Sequence, residues 1–180
     1  KNKLGAKSAA AFDLNSACTS WLYGLTSATD MIKAGTIKRA VVIGSERISI
    51  AMDWKKRESC FLFGDGAGAV VIEASENPTG LLRAKMSCVP DSRECLRLPD
   101  WGLSPKHFTG GLNISLDFDG AVIFKKAVKG MSDAIDYVLQ AEGLSAEDID
   151  LFVPHQANLR IIEALAKRLN FPMDKVVVCI

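Results

Sequence analysis

No uninterrupted apolar run in this 180-residue sequence approaches the roughly 20 residues needed to span a bilayer, so no transmembrane segment is expected. The opening stretch "KNKLGAKSAA" is basic but has no apolar run of signal-peptide length before Phe12. A soluble, cytoplasmic protein is therefore expected. Excess charge is also lacking: 22 Lys and Arg against 21 Asp and Glu leave a formal net charge of +1, which argues against a dominant nucleic-acid footprint. The five cysteines, Cys18, Cys60, Cys88, Cys95 and Cys179, are odd in number, and none pair as C-x-x-C. That argues against a disulfide framework and against a zinc site, so no metal is expected. Histidine is scarce, with only His107 and His155. What the chain does have is 48% hydrophobic and 24% charged residues, a balance that predicts a packed core.

Residues 8–14, "SAAAFDL", read as a buried strand. From Thr19 to Ala34, Leu22, Leu25, Ala28, Met31 and Ile32 recur at helical spacing, with Gly35 as the stop. "RAVVIGS" (39–45) and "GAGAVVIEA" (66–74) have strand length and β-branched content, and residues 81–89 form another extended run. Residues 90–118 lack periodicity and read as a long loop or excursion, of a length that often marks a binding region. A helix is expected over 122–142, ended by Gly143, followed by a capping box at "SAED" (145–148). A strand at 150–154, an amphipathic helix at 157–169 and a strand at 175–180 complete the pattern. The alternation predicts an α/β fold with a largely parallel sheet. Because Ile180 falls inside an apolar strand with no closing element, the chain reads as part of a longer one.

Cys18 stands where an extended run meets a helical one. Unpaired thiols in apolar-rich chains usually pack as small hydrophobes. A helix N-terminus, however, favours the thiolate form of a cysteine placed there, which makes Cys18 a candidate nucleophile. His155 follows "FVP" at a strand end and precedes a helix, where α/β folds direct residues toward the ligand crevice. A cysteine and a histidine at two such junctions fit a spatially assembled Cys/His pair. His107 has no comparable setting and reads as a loop residue. "FGDGAGAVV" (63–71) runs into a strand instead of a helix, so it is not a dinucleotide fingerprint; its glycines point to a close backbone approach or a bend, and Asp65 to a turn. Basic residues gather in "WKKR" (54–57) and at Lys125, Lys126, Lys129, Arg160, Lys167 and Arg168. These are either solvated faces or a surface that recognises phosphate or an acidic partner, and charge alone leaves both readings open.

Three blocks, "AFDLNSACTSW", "LFGDGAGAVVIEAS" and "VPHQANLRII", resemble 3-oxoacyl-[acyl-carrier-protein] synthase III in order and spacing, and the resemblance covers essentially the whole chain. It implies a thiolase-like αβαβα layered fold, incomplete in this chain. Residues 1–89 would be the C-terminal part of the first half, carrying the nucleophile. Residues 90–180 would be a connecting excursion and the N-terminal part of the second half. A further stretch before Lys1 and an assisting Asn beyond Ile180 are implied, as are a homodimer and an acyltransferase activity without cofactor.

By the same resemblance Cys18 carries the acyl group and His155 assists decarboxylation. Arg57 would hold the CoA nucleotide, while Asn158 and Gly120 would lie near the pantetheine arm. Lys125, Arg160, Lys167 and Arg168 would dock acyl carrier protein. The implied substrates are acyl-CoA and malonyl carrier protein, with neither nucleic acid nor membrane as partner. The chain departs from the family at Ser20, where a Gly is common, and at Ala121, where a polar residue is frequent. These departures bear on the acyl pocket and the pantetheine contact. A same-fold enzyme with a branched-acyl, alkylquinolone or polyketide primer is the main alternative. A non-catalytic carrier-protein-binding homologue is the other.

Overall fold

The computed structural model describes residues 2–52, 54–57, 59–77, 79–90, 95–97 and 117–180. Most of the expected excursion over 90–118, His107 included, lies outside the described residues. The chain divides into two compact units, residues 1–45 with 67–81, and residues 46–66 with 82–180.

In the first unit, α1 (Ser20–Lys33) is closed as the sequence predicts. Gly35 adopts φ +73°, its N–H donates to Ile32 O at 2.9 Å, and Thr36 N–H donates to Met31 O at 3.0 Å. This pair of bonds, around a left-handed residue that glycine adopts without a Cβ penalty, satisfies carbonyls the helix end would otherwise orphan. β1 (Arg39–Arg47) approaches α1 at Gly44 of the strand and Gly24 of the helix. A Cβ on Gly24 would touch Val42 Cγ1 at 3.4 Å, and one on Gly44 would press on Trp21 Cδ1 at 3.2 Å. Val42 is the one buried apolar side chain of this unit among the described residues.

β1 pairs with β2 (Asp65–Glu73). Ala74 N–H donates to Lys38 O at 3.0 Å and Arg39 bridges Glu73 at 3.0 Å, so the start of β1 meets the end of β2. Two nine-residue strands meeting in that way run antiparallel. The short strands β3 (Leu96–Arg97) and β4 (Asp117–Phe118) are antiparallel as well. The expected largely parallel sheet is therefore not what the described residues form. Among its described residues the connection between β1 and β2 carries no crossover α-helix, and antiparallel strands need none.

Two expected strands lack a ladder. Residues 8–14 and 81–89 are without strand pairing among the described residues, and Phe12 is 70% exposed. Residue propensity records a fit to a pleated surface and does not supply the neighbouring strand. The 81–90 segment is instead strapped along the next helix: Arg83 Nε bonds Glu142 Oε1 at 2.6 Å, and Lys85 Nζ lies 4.5 Å from the Tyr137 ring centre.

The second unit holds most of the core. α2 (Gly120–Glu142) begins two residues before the expected 122, because Asp119 Oδ1 accepts Val122 N–H at 3.1 Å and sets the cap there. It ends at Gly143, φ +68°, as expected. The Ser145–Asp148 capping interaction also forms: Ser145 donates its N–H and its hydroxyl to Asp148 Oδ2 at 2.8 and 2.7 Å, which lowers the carboxyl pKa.

α3 (Leu159–Leu169) packs against α2 and buries Ile161, Ile162, Leu165, Ala166 and Leu169. Each fully buried aliphatic side chain there contributes on the order of 1.5–3 kcal/mol through area removed from water. Ile162, Ala166 and Leu169 join Phe171 and Val176 in one cluster with Ile135, Ile149 and Phe152, and the Phe152 and Phe171 rings stack at 4.9 Å. Beside them the expected strands 150–154 and 175–180 meet at a single parallel bridge, Phe152 with Val176.

Candidate active site

Cys18 sits one residue before Thr19, the N-cap of α1, and its thiol is exposed. The turn that presents it is made by its polar neighbours. Asn15 Oδ1 accepts Ala17 N–H at 3.0 Å. Ser20 Oγ accepts Ser16 N–H at 2.7 Å and donates to Ala17 O at 2.6 Å, while Thr19 Oγ1 donates to Ser16 O at 2.8 Å. Within this web Ala17 is held at φ +49°, a left-handed conformation that costs a residue with a Cβ about 1–2 kcal/mol. The reversal places Cys18 outside the hydrogen-bonded ring of its neighbours. Thr19 spends its hydroxyl on Ser16 O, and no side chain caps the helix. The Thr19 and Ser20 N–H groups turn back onto Ser16 O and Ala17 O at 3.3 and 3.0 Å, and the thiol stands at the positive end of the α1 dipole.

His155 lies in the second unit, after the buried Pro154 and three residues before Asn158, the N-cap of α3. One side of its ring meets solvent, yet the surrounding protein desolvates it enough to lower its pKa below the ordinary 6.5. The imidazole is therefore neutral at physiological pH, with an N–H to donate and no positive charge. Asn158, two residues before Arg160, uses Oδ1 to accept Arg160 N–H at 2.9 Å and so caps α3.

Gly120 opens α2, where a Cβ would come within 3.1 Å of Phe118 Cε1, so glycine here admits a ring. Arg57 lies exposed in the turn after the "WKK" run. Lys125 on α2 and Arg160, Lys167 and Arg168 on α3 are all exposed, whereas Lys129 pairs with Asp133.

Asp65 differs from expectation. It does not turn back on its own backbone; its two oxygens take the N–H and hydroxyl of Ser49 at 2.8 and 2.6 Å, which hold its pKa low. The long β1–β2 connection brings Ser49 across to it. Around Gly64, Gly66 and Gly68 a Cβ would meet nothing within 4 Å among the described residues, so the expected close approach is not seen there.

The N-terminal model of the 3-oxoacyl-[acyl-carrier-protein] synthase III family matches residues 12–90, and the C-terminal model of the same family matches residues 139–180. The chain belongs to this family. It is 46% identical over 176 residues to β-ketoacyl-[acyl-carrier-protein] synthase III 2 of Vibrio cholerae, covering 97% of this chain and 49% of that protein. The crystal structure of 3-oxoacyl-[acyl-carrier-protein] synthase III from Aquifex aeolicus superposes with a TM-score of 0.88 at 39% identity, over 99% of this chain and 54% of that one. A priming β-ketosynthase of a polyketide biosynthetic pathway superposes with a TM-score of 0.80 at 33% identity, again over 99% of this chain and 53% of the other. The chain spans about half the length of these relatives. The expected thiolase-like α/β architecture, present in part, is thereby established for this synthase III chain.

Two groups of residues at these junctions escaped the sequence reading. The polar side chains Asn15, Ser16, Thr19 and Ser20 build the cysteine turn, and their density around Cys18 was the available signal. Gln156, next to the histidine, makes three hydrogen bonds, and the nearby Pro154 was the signal for it. Among the described residues no three His, Cys, Asp or Glu side chains group as a metal site, and no helix is long and apolar enough to cross a membrane.

Proposed function

We propose that this chain is the central part of an acyltransferase that performs the initiating condensation of type II fatty acid synthesis. The observation that carries the reading is the exposed thiol of Cys18, thrown out by a strained turn at the uncapped start of α1, in a chain of the synthase III family. In the first step Cys18 sulfur attacks the carbonyl of an acyl-CoA, acetyl-CoA in the simplest case. The C–S bond to CoA breaks, CoA leaves as a thiol, and the acyl group stays on Cys18.

In the second step malonyl carrier protein loses carbon dioxide, and the electrons of the broken C–C bond pass to an enolate. Neutral His155, with an Asn contributed from beyond Ile180, donates hydrogen bonds to the enolate oxygen. The enolate carbon then attacks the acyl-Cys18 thioester, backbone N–H groups including that of Cys18 receive the oxyanion, and Cys18 leaves as thiolate with 3-oxoacyl carrier protein as product. Thioester exchange and decarboxylation need no redox or metal chemistry.

The remaining residues take roles around that reaction. Arg57 holds the CoA nucleotide. The Asn158 amide nitrogen, its oxygen being used in the cap, reaches the pantetheine arm, and Gly120 gives the arm room. Lys125, Arg160, Lys167 and Arg168 present a basic face to the acidic carrier protein. The same reading makes residues 1–89 and 90–180 parts of two halves and the enzyme a cytoplasmic homodimer.

A second reading keeps the chemistry and changes the primer. It is favoured by Ser20, which stands where the family commonly has Gly, and by the likeness to a polyketide-priming ketosynthase. A panel of acetyl-, branched and longer acyl-CoAs, supplied with malonyl carrier protein, separates the two. Carbon dioxide release and 3-oxoacyl carrier protein from acetyl-CoA support the first reading. Turnover only with other primers supports the second. No turnover with any primer contradicts both.

A further inference from the structure

The peptide pair next to His155 has a missing rung. Phe152 N–H donates to Lys175 O at 2.8 Å and Val177 N–H donates to Phe152 O at 2.9 Å, the bonding of a parallel pair centred on Phe152 and Val176. Two residues on, the same ladder would use the N–H of residue 154 toward Val177 O and the carbonyl of residue 154 toward Cys179 N–H. Residue 154 is proline and has no N–H, so the ladder stops there.

The side chain of Gln156 takes up the groups left over. Its Nε2 donates to Val177 O at 3.0 Å and to Pro154 O at 2.9 Å, and its Oε1 accepts Cys179 N–H at 2.8 Å. Both donors are in use, and the amide orientation is fixed by its partners, since the reverse placement would set an oxygen against two carbonyls. The amide lies between the two chain segments as an inserted peptide group would.

We propose that Gln156 is a positioning residue. Its side-chain amide replaces the rung that Pro154 removes, and it pins the backbone on both sides of His155 to the 177–179 segment. A surface glutamine would leave its amide to water; here all three bonds close onto backbone, two of them more than 20 residues away in sequence. The catalytic consequence rests on the condensing-enzyme reading above. Gln156 touches no reacting atom in that reading, and its effect is on where His155 stands when decarboxylation occurs.

The test uses Gln156→Met, which keeps length but removes every bond, and Gln156→Glu, which keeps only the acceptor, in the full-length enzyme. Malonyl decarboxylation and condensation are expected to fall about 100-fold in kcat, the scale of a small misplacement of a catalytic group. Cys18 acylation and the KM for acyl-CoA are expected to stay within about twofold. Amide exchange at Cys179 is expected to speed up about tenfold, one hydrogen bond's share of protection. An equal fall in acylation and condensation would show a merely structural role and overturn the proposal. Faster exchange at Cys179 with condensation unchanged would overturn it as well. Should unmodified enzyme take no acyl group on Cys18, the enzyme reading itself fails; the rung is then judged by exchange alone, and unchanged exchange at Cys179 refutes it.

Discussion

Cys18 and His155 each lie just ahead of a helix, one and three residues before its N-cap, and the two junctions are held by opposite means. The cysteine turn is built from bonds between residues no more than four apart, Asn15 through Ser20, in a unit with a single buried apolar side chain among its described residues. The histidine junction is held from a distance, by Gln156 reaching Val177 and Cys179 and by a core in which Ile162 and Leu165 are fully buried. Local bonds can store strain at one residue, as they do at Ala17, because they over-determine a short loop. Long-range packing instead fixes an element and can desolvate a side chain standing on it, as it does for His155.

That contrast is open to attack at several points. His155→Ala is expected to lower malonyl decarboxylation about 10²–10⁴-fold while leaving acyl transfer to Cys18 near its original rate, measured as separate half-reactions. Parallel losses in both would mean that the two junctions are not separable. Leu165→Ala is expected to cost about 2–5 kcal/mol in chemical denaturation, because it empties a site with no solvent exposure. Val42→Ala is expected to cost less, since fewer methyl groups leave a thinner core.

Acid provides a subtler distinction. The depressed pKa of His155 means the folded chain binds that proton more weakly than the unfolded chain does. Its contribution is fully present above about 6.5 and is lost as pH falls from there through the lower folded value. Unfolding midpoints of the unmodified protein and His155→Ala should therefore converge or cross in that interval and hold a constant offset above it. The smallest effect is expected from Asn158→Ala, about 1 kcal/mol from the lost cap on α3, with helix content otherwise kept in circular dichroism.

The helices were legible in the sequence because their signals are local. Leucine and isoleucine spacing gave their faces, and Gly35 and Gly143 sit in left-handed stops where the sequence predicts them. Asn170, φ +58°, does the same for α3 and carries no glycine to mark it. Strand pairing was not legible. Residues 8–14 and 81–89 have strand composition and no ladder among the described residues, and β1 with β2 runs antiparallel, because partners are chosen by distant segments. Cys18 and His155 could be read from their junctions, and the family from the motifs around them. The bonds of Ser20 and Gln156 were only hinted at, by the polar run around Cys18 and by Pro154, since their value lies in which backbone groups the fold leaves for them to bond.

The central claim is that Cys18 carries the acyl group, and intact-protein and peptide mass spectrometry after incubation with an acyl-CoA tests it most directly. The expected result is a mass increase equal to one acyl group on the peptide containing Cys18, retained in His155→Ala and absent in Cys18→Ser. An acyl group found instead on Cys60, Cys88, Cys95 or Cys179, or on no residue across the acyl-CoA panel, would contradict it.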